Sequence, residues 1–318
     1  MTTVSDDLRR VGEALGDRAR WDHPLGALTT YRVGGTAALF VEPRDEDGLL
    51  AVADATRGLD VAVLVLGRGS NMLVADGGFA GLVLSLGSGF DQVVIDGAEV
   101  RAGASVSLPV LARRTAAAGL AGLEWAVGVP GSVGGAIRMN AGGHGSDTAA
   151  TLVRYRWVDL RTGSVAEAPA GQLGFSYRHT TLAPTDVVVA GTYRLEPGDA
   201  GRSAAAIAEI VRWRRANQPG GSNAGSVFAN PPGDSAGRLI DQVGLKGFRI
   251  GSAEVSTKHA NFIQADEGGS ADDVARVIDH IRAAVAAATG VTLRTEVRMV
   301  GFDATGLGRV GDAGQVPR

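Results

Sequence analysis

Residues 128–147, GVPGSVGGAIRMNAGGHGSD, constrain this chain more than any other stretch. Seven glycines (Gly128, Gly131, Gly134, Gly135, Gly142, Gly143 and Gly145) fall in eighteen positions around a short apolar run, Ala136 to Met139. Glycine loses more backbone entropy on folding than other residues. A folded segment this rich in it needs what only glycine gives: positive φ, or close approach of the backbone to a ligand. Backbone N–H groups exposed in such a loop, with a helix start beside them, can hold phosphate without a lysine. The competing reading is a long irregular surface loop. A second glycine-rich stretch, 66–81 (LGRGSNMLVADGGFAG), follows the apolar run 61–66 and weakens that alternative. An apolar strand, a glycine turn, then Ser70 and Asn71 make another phosphate cradle. Two cradles point to a ligand with more than one phosphate, or a dinucleotide spread over two subdomains.

The 318 residues suit two or three domains, and 45% hydrophobic residues suffice for their cores. A formal net charge of -3 gives no electrostatic argument for nucleic acid or an anionic membrane. No cysteine is present, which excludes disulfides, Cys-ligated zinc, iron–sulfur clusters and thiol catalysis. The opening MTTVSDDLRR lacks the apolar core of a signal peptide. No window approaches the roughly 20 apolar residues of a membrane helix. A soluble cytoplasmic protein is expected, with neither nucleic acid nor membrane as a partner.

Ser5 is placed to cap a short helix with Leu8, Val11 and Leu15 on one face. Residues 30–41 read as strand material interrupted by Gly34 and Gly35, and Asp45 caps the next helix. The run 61–66 predicts a strand buried on both faces, and 82–86 a further strand. These elements form a small α+β unit, 1–86. A second unit, 87–200, opens with strands at 92–96 and 99–103. A helix follows from Ser107 to Gly119, with Pro109 in its first turn. Residues 151–160 alternate, with Val153, Tyr155 and Trp157 on one face and Arg154 and Arg156 on the other, as in a half-buried antiparallel strand. Residues 175–180 (FSYRHT) read as a loop and 187–195 as a strand. In a third unit, 201–302, Ser203 caps a helix, and a long Gly/Pro/Asn/Ser loop of a commonly functional kind follows. A helix at 235–243 comes next, with short strands near 247–255 and 261–265. Ser270 and Asp273 form a capping box before a helix, and 291–300 is the final strand. Residues 303–318 read as a disordered tail.

On that final strand Val291, Leu293, Val297 and Met299 share a face with Thr295, while Thr292, Arg294, Glu296 and Arg298 line the other. A carboxylate between two arginines is ordinarily a surface charge ladder. The alternative is a carboxylate held over a site by a basic neighbour. Ser226 follows Gly225, which frees its backbone and leaves the hydroxyl accessible. A turn serine bonded to its own backbone is the common case. Arg178 is a surface charge or an anion clamp. Residues 233–237, GDSAG, match the nucleophile elbow G-x-S-x-G, but Asn230, Pro231 and Pro232 stand where its apolar strand belongs. A helix N-cap at Asp234 or Ser235 is the better reading. There is no Walker A pattern, GRGSNM lacks the third glycine of the Rossmann fingerprint, and the five histidines lack metal-ligand spacing, so no metal is expected.

Together these motifs resemble the UDP-N-acetylenolpyruvoylglucosamine reductase family of flavoenzymes, in its shorter form. The resemblance runs from about Thr29 to Gly301 on six segments: TTYRVGGTA (29–37), LGRGSNMLVADGGFAG (66–81), GLEWAVGVPGSVGGAIRMNAGGHG (122–145), FSYRH (175–179), residues 223–263 from NAGSVFANPPGDSAG to KHANFI, and TEVRMVG (295–301). It implies an α+β fold in which two subdomains hold FAD in the vanillyl-alcohol-oxidase manner and a C-terminal α+β domain binds substrate. The implied cofactor contacts are Arg68, Gly69, Ser70 and Asn71 at the pyrophosphate, and Gly128, Pro130, Gly131, Ser132, Gly134, Gly135, Asn140, Gly142 and Gly145 along the rest.

The implied reaction reduces UDP-N-acetylglucosamine enolpyruvate to UDP-N-acetylmuramate in peptidoglycan precursor synthesis. NADPH reduces FAD, and the flavin passes hydride to the enolpyruvyl methylene carbon. Charge then spreads from the adjacent carbon into the carboxylate, which needs a cation at the carboxylate and a proton donor near the carbon. By motif position Ser226 matches the proton donor, and Arg178 with Glu296 matches the pair that engages the carboxylate and stabilises the enolate, Glu296 in its protonated form. Tyr177, Arg214, Arg215 and Asn230 match substrate contacts, with Arg214 or Arg215 at the UDP pyrophosphate. Val227 and Ala229 stand where the family usually has an aromatic and a lysine, and His144 where tyrosine is common. A monomer is expected. The rivals are another FAD-dependent oxidoreductase on the same scaffold and a non-catalytic nucleotide-binding homologue.

Overall fold

The computed structural model describes residues 4–302, and the expected tail at 303–318 lies outside them. The chain opens with the helix Asp6–Leu15, whose Ser5 Oγ accepts from the Leu8 amide as the sequence predicts. A four-stranded sheet follows, in the order Ala19–Pro24, Thr36–Val41, Phe79–Leu84, Val63–Val65. The helix Glu46–Thr56, capped by Asp45, packs beside it. The expected strand over 30–41 begins only at Thr36. Gly34 instead takes φ +110, where a Cβ would meet the Val74 carbonyl oxygen at 2.3 Å. That turn sends Tyr31 and Val33 into the core built by the C-terminal third. The apolar run 61–66 yields only Val63–Val65, an edge strand and not one buried on both faces. Its half-exposed valines line a cleft, which accounts for the unbroken apolar run.

A five-stranded antiparallel sheet comes next, ordered Ser164–Pro169, Leu152–Asp159, Asp186–Arg194, Glu99–Gly103, Val93–Asp96. The clean alternation expected over 151–160 is broken by register shifts between Leu152 and Arg154 and between Arg156 and Trp157. A bulge flips the side of every later residue. Tyr155 therefore packs with the second unit's core, and Val158 with Leu39, Leu82 and Leu84 of the first. One sheet thereby cements both units. The helices Leu108–Ala117 and Val133–Met139 contribute to its core.

The helix Ala200–Asn217 is capped by Asp199, not by Ser203. Ser203 lies a turn inside, buried, and its hydroxyl donates to Glu124 Oε1 at 2.6 Å. Ser235 caps the helix Ala236–Gln242, so GDSAG is a helix start. A three-stranded sheet (Arg249–Ile250, Ala253–Val255, Ile263–Ala265) packs on the helix Ala271–Thr289. Only half the expected capping box forms there. Ser270 Oγ accepts from Asp273 N, but the Asp273 carboxylate turns to Ser252 and Arg276.

The last element positions the site. Of residues 291–300 only Arg298–Val300 is strand, and it pairs in parallel with Met72–Val74 of the first unit. Asp76, just beyond, reaches back to the start of the helix Ala271–Thr289. It accepts from Ser270 Oγ, from Ala271 N at 2.9 Å and from Asp272 N at 3.3 Å. A carboxylate there meets free amides and the positive end of the helix dipole. Asp76→Ala is expected to cost about 1–2 kcal/mol in urea unfolding, with Asp76→Asn recovering about half. Equal stability of Asp76→Ala and the parent protein would show the cap to be idle. Among the described residues no helix is long and apolar enough to cross a membrane.

Candidate active site

The first glycine loop, 67–71, leaves its strand at Leu66 and turns through Gly69 at φ +57. A Cβ on Gly69 would lie 2.5 Å from the Leu28 carbonyl oxygen, so only glycine fits. No amide from Gly67 to Asn71 donates to a protein acceptor among the described residues. The glycine stretch 128–147 faces this loop: Gly67 would set a Cβ 2.7 Å from Ser132 Oγ, and Gly131 one 3.7 Å from Ser70 Oγ. The amides of Gly131 and Ser132 are likewise without protein acceptors. The helix start beyond them is not. Val133 N bonds Val106 O at 2.9 Å, Gly134 N bonds Ala104 O at 2.9 Å, and Gly135 N reaches Ser132 Oγ at 3.4 Å. The amides left free to take an anion therefore sit in the two loops and not in the first turn of the helix.

A cleft of about 970 Å³, its open mouth included, runs between these loops and the edge strand. Arg68, Arg138 and Arg298 line it, with Asp186 as the only lining carboxylate among the described residues. Asp186 already accepts from the Ala183 amide at 2.7 Å. Burial pulls the pKa of Arg138 below the usual arginine value, and the neighbouring Arg298 guanidinium adds to the effect. Free amides, glycines without room for a Cβ, an apolar wall and surplus guanidinium charge suit a dinucleotide with its diphosphate. Arg138 was not singled out from the sequence. A lone charge inside the short apolar run 136–139 was the available signal.

A second group of side chains meets beside this cleft. Arg178 Nε donates to Glu296 Oε1 at 2.5 Å, and the Tyr177 hydroxyl donates to Oε2 at 3.5 Å. Arg178 also donates through Nη2 to the Gly142 carbonyl at 2.9 Å, and its Cζ lies 5.0 Å from the Tyr177 ring centre. Its backbone takes φ +55, a left-handed conformation that costs a non-glycine residue about 1–2 kcal/mol. Glu296 bonds to neither flanking arginine, so the surface-ladder reading fails. Its two carboxylate oxygens are thus both engaged, one by Arg178 and one by Tyr177.

Two asparagines fix this arrangement. Asn71 Nδ2 donates to the Glu296 carbonyl at 3.1 Å, and the Asn71 carbonyl accepts from Arg298 N at 3.0 Å. Asn261, buried, brackets Phe228 by accepting from its N–H at 2.9 Å and donating to its carbonyl at 2.8 Å. Between them the Val227 carbonyl accepts from Glu296 N at 2.7 Å, which sets Ser226 beside the Glu296 segment. Gly225 takes φ +75, and the Ser226 hydroxyl has no partner among the described residues. Asn261 carried no signal in the sequence, because its role is a pairing between distant loops.

The remaining expected contacts divide. Asn140, left-handed and buried, bonds Asp147, the Ser176 carbonyl and the Ala149 amide, so its side chain is occupied by protein. Gly142 and Gly145 shape the hairpin that carries the Arg178 acceptor. Gly128 packs on His144, where a Cβ would meet the imidazole at 2.7 Å. Pro130 is exposed beside the loop amides. Arg214 is half-buried near His144 with only Gln218 Oε1 as acceptor, at 2.8 Å, and burial lowers its pKa. The His144 pKa is lowered by burial and then by Arg214. Arg215 is exposed, and its carbonyl accepts from Lys258. Asn230 Oδ1 accepts from Ala236 N at the start of a helix.

Residues 37–168 match the family profile described as FAD binding domain. Residues 217–300 match the one described as UDP-N-acetylenolpyruvoylglucosamine reductase, C-terminal domain. The UDP-N-acetylenolpyruvoylglucosamine reductase of Rubrobacter xylanophilus is 43% identical over 292 residues, covering 91% of this chain and 97% of that protein. Reductase 2 of Symbiobacterium thermophilum is 41% identical over 307 residues, covering 95% and 98%. The crystal structure of the Thermus caldophilus enzyme aligns with a TM-score of 0.79 at 34% identity, over 89% of this chain and 99% of that one. Similarity of this extent, spanning both glycine loops and the strand end that carries Glu296, means that the chain belongs to the UDP-N-acetylenolpyruvoylglucosamine reductase family.

Proposed function

We propose that this chain reduces the enolpyruvyl ether of UDP-N-acetylglucosamine enolpyruvate to the lactyl ether of UDP-N-acetylmuramate, with bound FAD and with NADPH as reductant, in peptidoglycan precursor synthesis. The observation that carries the reading is the Arg178–Glu296 pair. It is held by Gly142 and Asn71 beside a cationic cleft with free loop amides.

In this reading the amides of 67–71, with Gly131 and Ser132, bind the FAD diphosphate, and the units 1–86 and 87–200 hold the dinucleotide. Bound FAD supplies the hydride chemistry. Arg178 exchanges part of its contact with Glu296 for the enolpyruvyl carboxylate, where negative charge builds as the substrate is reduced. Tyr177 and the Gly142 carbonyl keep the guanidinium in place during that exchange. Ser226 Oγ delivers a proton to the substrate carbon beside the carboxylate. An alcohol is a weak acid, but a carbanion-like carbon is a far stronger base. Arg214 serves the UDP pyrophosphate, and the unit 201–302 carries most of the substrate contacts. The reaction runs in the cytoplasm on a monomer.

The test is anaerobic mixing of purified protein with NADPH and then with the enolpyruvyl substrate, read by flavin colour. Bleaching by NADPH and return of colour on adding substrate is the expected result. Bleaching without return would move the chain to another FAD-dependent oxidoreductase. A protein that takes up no FAD would leave a nucleotide-binding homologue.

A further inference from the structure

Arg298 is a half-buried guanidinium for which no side-chain or backbone acceptor exists among the described residues. Other half-buried arginines here are matched: Arg156 by Glu46, Arg178 by Glu296, and Arg138 by the Ala183 carbonyl. Burial lowers the Arg298 pKa. Its neighbour in the cleft wall is Arg138, a second cation that it repels. A desolvated, unpaired charge beside a like charge is costly, so folds keep one where something else neutralises it. Its backbone stands where the free-amide loop ends. Asn71 O accepts from Arg298 N at 3.0 Å, and Asn71 Nδ2 donates to Glu296 O at 3.1 Å.

We propose that Arg298 is the protein's counter-ion to the cofactor diphosphate, and that through it cofactor binding fixes the strand end that presents Glu296. The proposal rests on the FAD reading above. One anion bound by the loop amides of 67–71 and by Arg298 joins two segments otherwise tied by Asn71 and by the pairing of Arg298–Val300 with Met72–Val74. A ligand that binds only the docked arrangement stabilises it by mass action. Arg298 is thus a positioning residue for Glu296 as well as a cofactor contact. The diphosphate is favoured over the flavin ring as its target because Arg298 lines the same cleft as Gly67, Arg68 and Ser132.

The test uses full-length protein stripped of flavin, in wild-type, Arg298→Leu and Arg298→Lys forms. FAD and riboflavin, which has the ring system but no phosphate, are titrated into each. Arg298→Leu is expected to bind FAD about 10–100-fold more weakly, as loss of a charge-assisted contact implies. Its riboflavin affinity stays at the wild-type value. Arg298→Lys recovers part of the FAD affinity. Without FAD, Arg298→Leu melts no lower than wild type, because an unmatched charge has been removed. Hydrogen exchange at 296–300 slows on adding FAD to wild type and changes little in Arg298→Leu. Unchanged FAD affinity would overturn the proposal, as would equal weakening of riboflavin. Loss of flavin-free stability in both variants would also overturn it, by making Arg298 an ordinary structural residue. If Arg298→Leu does not fold, a wild-type FAD-to-riboflavin affinity ratio in Arg298→Lys overturns it. Wild-type protein that binds no FAD would instead sink the functional reading itself.

Discussion

Ser226→Ala is expected to leave reduction of the flavin by NADPH unchanged and to slow reoxidation by the enolpyruvyl substrate about 10²–10⁴-fold, the usual worth of a positioned proton donor. The structure makes this a clean deletion. The hydroxyl bonds to nothing among the described residues, so alanine strands no buried partner. The backbone around it is fixed from elsewhere, by Val227 N to the Asn261 carbonyl at 2.9 Å and by Glu296 N to the Val227 carbonyl at 2.7 Å. Stopped-flow traces of the two half-reactions decide the matter. Equal slowing of both would mean that Ser226 holds the cofactor region together and does not deliver the proton.

Glu296→Ala is expected to slow the same half-reaction about 10²–10³-fold, comparable to losing a principal electrostatic group, and Glu296→Gln to slow it less. Alanine leaves Arg178 with the Gly142 carbonyl at 2.9 Å as its main anchor, so the guanidinium loses direction as well as a partner. Glutamine keeps an acceptor oxygen for Arg178 Nε and adds an N–H that can donate to a carboxylate. Both carboxylate oxygens are engaged in this geometry, so Glu296 can meet the substrate carboxylate only after Arg178 has turned to the substrate. If Gln and Ala lose activity equally, the acid form of Glu296 is not the working one. Steady-state runs separate the possibilities further, since a rise in KM alone would mark Glu296 as a binding group.

Much of the site was legible because glycine and local motif chemistry write it into short stretches. Gly69 and Gly225 take positive φ next to Ser70 and Ser226, where the sequence calls for exposed polar groups. Ser5, Asp45 and Ser235 each cap the helix that follows. What escaped was set by partners far away in sequence. Ser203 looked like a cap because nothing local shows that Glu124 claims its hydroxyl. The alternation of 152–159 could not show where a bulge would turn Val158 toward another unit. The residues around Glu296 left a charge ladder and a held carboxylate both open, because Arg178 lies 118 residues upstream, and only the family resemblance paired the two. The cradle at 128–147 was read as loop amides with a helix start beside them, yet that start bonds to Ala104 and Val106, and only the amides just before it are free.

The pairing of Met72–Val74 with Arg298–Val300 bears on how the protein is made. Asn71 and Glu296 are 225 residues apart, so the strand that completes the first unit leaves the ribosome long after Met72–Val74 does. Until then, the Met72–Val74 edge has no partner in the chain, and Tyr31 and Val33 lack the core that buries them. Contacts so distant in sequence close slowly, and an open strand edge is prone to pairing with other chains. The two segments that set the cofactor cradle and the carboxylate pair are therefore assembled in one late event. A nascent chain cannot present a finished reducing centre before residue 300 has been made.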